Sequence, residues 1–278
     1  MFGISDAQSY LDKYGLHVDL FRYLLVGGLI FTRIFIMSMF LPYLGTKPIP
    51  GRIRVAVCVA LAIFFYFPVS AMTTGALPTS GAALFALFFK EALFGILLGF
   101  SAGLVFYGIQ AAGNVIDNQR MLANAQIFNP GIGSQASLFG IFYYQLAIVI
   151  FLIIGGHHHL FQALAKSFEA VPLLETPEFG ANYVPVIALV MRLTADVLVI
   201  SVQLGAPVVI AILLSDIILG LMNRVAPMIN VFEMGFNIKG YMGVLMVYLS
   251  LPLVFQQMKF WFTHYMETVS KIIDLFIR

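Results

Sequence analysis

Six stretches of this chain, Phe21–Leu41, Ile53–Ala71, Ala92–Ala112, Leu138–Ile154, Val184–Leu221 and Ile238–Val254, are dominated by apolar side chains and nearly free of charge. Crossing a bilayer as a helix takes about 20 mainly apolar residues. In hydrocarbon the backbone must satisfy its own hydrogen bonds, so runs of this kind fold as helices that pack on one another. An all-α, polytopic membrane protein follows. The fifth run is too long for one span, and Pro207 removes a helical hydrogen bond near its middle. It reads either as a kinked helix or as two helices meeting at Gly205-Ala206-Pro207. The apolar helices therefore number six or seven. From Met258 to Arg278 the pattern changes: Trp261, Phe262, Tyr265, Val269, Ile272 and Phe276 recur at helical spacing among Lys259, Glu267, Lys271, Asp274 and Arg278. That spacing predicts a C-terminal amphipathic helix.

The joints between runs are short, so residues 1–278 read as a single domain. Charged residues make up 10% of the chain, against roughly 25% in soluble domains. The net charge is +2, and no basic cluster is interleaved with aromatics, so a nucleic-acid partner is not expected. Cys58 is the only cysteine and excludes an intrachain disulfide. Residues 1–20 carry Asp6, Asp12, Lys13, His17 and Asp19, unlike the basic head of a cleavable signal, so the first run is expected to persist.

Arg33, Lys90, Glu91, Arg192, Asp196 and Asp216 interrupt apolar runs. An unpaired charge in hydrocarbon costs several kcal/mol, so each is expected to face protein or water and to find a partner. Arg192 and Asp196 are one helical turn apart and are expected to pair with each other. Gly95, Gly99 and Gly103 recur every fourth residue, a stripe that lets another helix backbone approach closely. His157, His158 and His159 point in successive directions and lack a nearby carboxylate or thiol, so no metal site is expected. No nucleotide-binding or hydrolase motif is present, and neither an enzymatic activity nor a cofactor is expected.

One segment differs from its surroundings. Gly113–Gly133 reads GNVIDNQRMLANAQIFNPGIG, and its Asn114, Asp117, Asn118, Gln119, Arg120, Asn124 and Gln126 follow directly on an apolar helix. Such a segment is either enclosed by protein or a water-filled cavity, or is a solvated loop.

Over most of its length the chain resembles the FliR/SctT family of type III export gates. The resemblance rests on Lys90-Glu91 opening a Gly-spaced helix in KEALFGILLGF, and on Gly155-Gly156-His157 with the downstream Pro172. It rests most on Asp216, Leu219-Gly220, Asn223-Arg224, Ala226-Pro227, Asn230-Val231-Phe232 and Lys239, in that order. It implies a non-enzymatic core subunit, built of helical hairpins, in a helical export-gate assembly of the bacterial inner membrane. The implied partners are FliP/SctR-like and FliQ/SctS-like subunits, an FlhB/SctU-like switch protein and unfolded export substrates. By the same resemblance, Gly113–Phe128 matches the family's channel plug, with Asn114, Asp117, Asn118, Gln119, Arg120, Met121, Asn124, Gln126 and Phe128 as plug or gate residues. Lys90, Glu91, Arg192, Asp196, Asp216, Arg224 and Lys239 are candidates for buried charges or subunit contacts. An ion-coupled small-molecule transporter is the alternative, motivated by the charges and the Pro-interrupted fifth run; it would show related broken helices in both halves, and only the second half has one.

Overall fold

The computed structural model describes residues 20–42, 49–73, 75, 77–78, 80–120, 137–175, 183–228 and 230–276. Seven helices account for most of them: α1 (Leu20–Phe40), α2 (Gly51–Met72), α3 (Gly81–Gln119), α4 (Leu138–Ile153), α5 (Gly156–Ala170), α6 (Tyr183–Val225) and α7 (Val231–Asp274). Five are long and apolar enough to cross a membrane, and the broken pair α4 and α5 can supply a sixth span. The protein is an all-α polytopic membrane protein.

Of the two readings of the fifth run, the single helix is the one observed: α6 is continuous with Pro207 inside it. A membrane helix tolerates an internal proline when neighbours re-satisfy the freed carbonyl. One expectation changes: the amphipathic tail is no separate helix but continues the sixth run within α7, which also contains Pro252. At 1.5 Å per residue α6 and α7 are each about 65 Å long, roughly twice the hydrocarbon thickness of a bilayer.

The chain divides into two compact units. The first comprises residues 1–102, 160–186 and 269–278. In it α1 and α2 form an antiparallel hairpin: Tyr23 stacks on Tyr66 with ring centroids 5.7 Å apart, and Cys58 lies 3.4 Å from Ser38 Oγ. The opening part of α3 runs parallel to α1 at very close range. A Cβ on Gly95 would stand 2.7 Å from the Arg33 carbonyl oxygen, and one on Gly99 would stand 2.6 Å from that of Met37. Only glycine permits this backbone contact.

The second unit comprises residues 103–159 and 187–268. Gly103 is buried at its start, and Gly108 packs on Ile200 of α6. The core holds a cluster of Phe106, Phe151 and Phe262, with centroids 4.9–5.4 Å apart. α6 and α7 form an antiparallel hairpin: Trp261 Nε1 donates to Gln203 Oε1 at 3.1 Å, and the Tyr265 hydroxyl donates to the Leu193 carbonyl at 2.7 Å. α4 ends at Gly155, whose φ of 77° is left-handed and favours glycine.

Candidate functional site

Among the described residues, a polar constellation interrupts the apolar packing in each unit. In the first unit, Arg33, Lys90 and Glu91 meet although Arg33 lies on α1 and the others on α3. Arg33 is 0% exposed; its Nε donates to Glu91 Oε2 at 2.6 Å, and Glu91 is also 0% exposed. Arg33 Nη1 donates to the carbonyl and hydroxyl of Ser167 at 2.6 and 3.0 Å, and Nη2 donates to the Val171 carbonyl at 3.1 Å. The guanidinium also lies over the rings of Phe168 and Phe94, 4.4 and 5.4 Å from their centroids.

Lys90 Nζ donates to the carbonyls of Pro172, Leu173 and Glu175 at 2.7, 2.8 and 2.9 Å. An ammonium has three protons, and the three carbonyls use them all. Glu91 Oε1, 3.0 Å from the same nitrogen, therefore gains Coulomb attraction but no hydrogen bond. Both cations thus bind carbonyls in the last turn of α5 and the residues just after it, the negative end of the helix dipole. One carboxylate against two cations leaves a surplus positive charge, and those carbonyls balance it.

In the second unit the polar residues after Gly113 prove to be the closing turns of α3, which extends to Gln119. The sequence led us to expect this stretch to lie beyond the apolar helix; the i→i−4 ladder continues through it, ending with Arg120 N donating to the Ile116 carbonyl at 3.1 Å. Helical phase then separates the candidate residues. Asn114 and Asn118, one turn apart, are exposed, Gln119 and Arg120 are half-buried, and Asp117 is buried. Asp117 Oδ2 accepts from Ser137 Oγ at 2.6 Å and from the Phe139 amide at 2.8 Å, while Oδ1 lies 3.4 Å from Arg120 Nη1. Arg120 Nη2 reaches α7 and donates to the Gly240 carbonyl at 3.2 Å, with its guanidinium 4.7 Å above the Phe139 ring. Burial lowers the pKa of Arg120, and the Asp117 carboxylate works against that shift. Met121, Asn124, Gln126 and Phe128 lie outside the described residues.

The remaining candidate charges separate in the same way. Asp216 on α6 forms an ion pair with Lys239 on α7 across their hairpin. Arg192 and Asp196 do not pair: Arg192 is exposed, and Asp196 lies 4.0 Å from His264 Nε2 on α7. The spacing allows contact along the helix, but the carboxylate is drawn to the adjacent helix and Arg192 is left at the surface. Arg224 is exposed in the last turn of α6. The rings of His157 and His158 are 4.0 Å apart at the start of α5, and no metal-holding group of three His, Cys, Asp or Glu occurs among the described residues.

Sequence reasoning noted Arg33, Glu91, Asp216 and Lys239 but did not pair them. The available signal was opposite charges, each isolated in an apolar helix. The cap that Asp117 provides for α4 had no signal, since it depends on which helix start the end of α3 meets.

Residues 24–265 match the family described as bacterial export proteins, family 1. The chain is 27% identical over 259 residues to the flagellar biosynthetic protein FliR of Bacillus subtilis, covering 93% of this chain and 97% of that protein. It is 30% identical over 260 residues to the surface presentation of antigens protein SpaR of Shigella sonnei, covering 92% and 94%. Against the Yop proteins translocation protein T of Yersinia pestis the identity is 30% over 232 residues, covering 81% and 85%.

Proposed function

The chain belongs to family 1 of the bacterial export proteins, the FliR/SctT family, and on that premise we propose that it is a core subunit of a type III protein export gate in the bacterial inner membrane. Family membership over nearly the whole chain carries this reading. In it the subunit assembles with FliP/SctR-like and FliQ/SctS-like chains and an FlhB/SctU-like switch protein. It helps to form the channel for unfolded substrates, and the stretch from Gly113 to Phe128 plugs that channel at rest.

The surface supports a subunit role. Phe67, Phe85 and Tyr241 are 76%, 72% and 79% exposed on the isolated chain, and α6 and α7 are too long for lipid alone to cover them. Much of this apolar surface is left for neighbouring chains. Co-expression with the FliP/SctR-like and FliQ/SctS-like neighbours tests the reading. Native mass spectrometry of the detergent extract is expected to show one copy of this chain per complex. A stable monomer or homodimer that ignores those neighbours would overturn it.

A further inference from the structure

We propose that Asp117 and Arg120 are positioning residues forming a clasp, which pins the end of α3 to the start of α4 and to the Gly240–Gly243 turn of α7. The clasp rests on the plug reading for its functional meaning, because it fixes the helical part of the Gly113–Phe128 stretch, residues 113–120, against α4 and α7. In this view Asp117 and Arg120 hold the helical root of that plug in place.

Asp117 is 4% exposed and uses both carboxylate oxygens. The first amides of a helix have no intrahelical acceptor. Here the Phe139 amide is satisfied by Asp117 from another helix and the Gly140 amide by Ser137 Oγ at 2.8 Å, so both depend on this corner. A carboxylate is also favoured at the positive end of the α4 dipole. The backbones are as close as they can be: a Cβ on Gly113 would stand 2.3 Å from the Phe139 carbonyl group.

Arg120 joins the third helix. Its aliphatic stem lies across Gly243, where a Cβ would stand 2.4 Å from Arg120 Cδ. Gly243 is thus the seat of this side chain, and Gly240 supplies the carbonyl at its far end. The residue before Gly240 is Lys239, which pairs with Asp216, so the clasp is fastened to the part of α7 that is itself tied to α6.

The test uses the purified co-expressed complex in proteoliposomes, reading passive K⁺ efflux together with amide exchange at Phe139. Asp117→Asn removes the charge at nearly constant shape, and Gly243→Ala fills the seat without touching a charge. At unchanged subunit stoichiometry, each is expected to raise efflux and to speed Phe139 exchange about tenfold, as local opening predicts. Because both break one clasp, the double variant is expected to exceed the stronger single variant by little. Wild-type efflux in both variants, when deletion of 121–126 leaks, would overturn the clasp and leave the plug standing. A tight 121–126 deletion would overturn the plug reading instead. The Phe139 amide then decides the clasp: faster exchange in Gly243→Ala upholds it, and unchanged exchange overturns it. If Asp117→Asn does not assemble, Ser137→Ala, which removes one of the same bonds, replaces it with the same two outcomes.

Discussion

Glu91 Oε2 accepts a 2.6 Å hydrogen bond from Arg33 Nε between two side chains that are each 0% exposed, joining α3 to α1 in the interior of the first unit. Removing one member of such a pair strands the other, which typically costs about 3–5 kcal/mol, whereas apolar replacement of both can be close to neutral. Here the carboxylate faces two cations. Glu91→Leu is therefore expected to lower the thermal aggregation midpoint of the detergent-solubilised complex more than Arg33→Leu does. The Arg33→Leu/Glu91→Leu double variant is expected to recover only part of that loss, because Lys90 keeps its surplus charge.

Lys90→Arg tests the geometry of the three carbonyls. They converge on one nitrogen, while a guanidinium spreads its donors in a planar fork and needs more room. The substitution keeps the charge yet is expected to destabilise by about 2–4 kcal/mol, nearly as much as Lys90→Met. Denaturant midpoints of the two variants, measured side by side, check this; a near-wild-type Lys90→Arg protein would contradict it.

Glycines within helices differ in what surrounds them. At Gly99 an added methyl meets the Met37 backbone at 2.6 Å, which cannot move aside as a side chain can, whereas at Gly27 nothing lies within 4 Å. Gly99→Ala is expected to cost about 1–3 kcal/mol. Gly27→Ala is expected to gain up to about 1 kcal/mol from helix propensity. Thermal midpoints moving in opposite directions would show this.

Arg192→Leu is expected to change stability by less than about 0.5 kcal/mol, as for an exposed residue without a buried partner. Adding Asp196→Leu should bring no rescue, since the two do not pair. A double-mutant cycle on the same complex gives the coupling directly, and a coupling above about 1 kcal/mol would mean that they meet.

The helices were legible because a bilayer solvent forces long apolar runs into one conformation. Their boundaries were less so. Pro207 left a kinked helix and two separate helices both open, and it lies inside one continuous helix, as does Pro252, because neighbouring turns outweigh one missing bond. The polar residues from Asn114 to Gln119 read as leaving the helix on composition alone, yet the backbone ladder carries them on. Pairings followed a similar rule. Arg192 and Asp196 looked paired because they are close in sequence, and they are not. Arg33 and Glu91 are 58 residues apart, and only the folding of α1 against α3 through Gly95 and Gly99 brings them together. Of the candidate gate residues, helical phase distinguishes Asp117 from Asn114 and Asn118, a distinction that needed the extent of α3 to be known.

The three carbonyls around Lys90 form a ring of the kind that elsewhere strips potassium of its water. Here the occupant is tethered by its own side chain. It cannot be diluted away, exchanged for sodium or removed by a chelator, so this part of the fold keeps its cation whatever the ionic makeup of the surrounding medium.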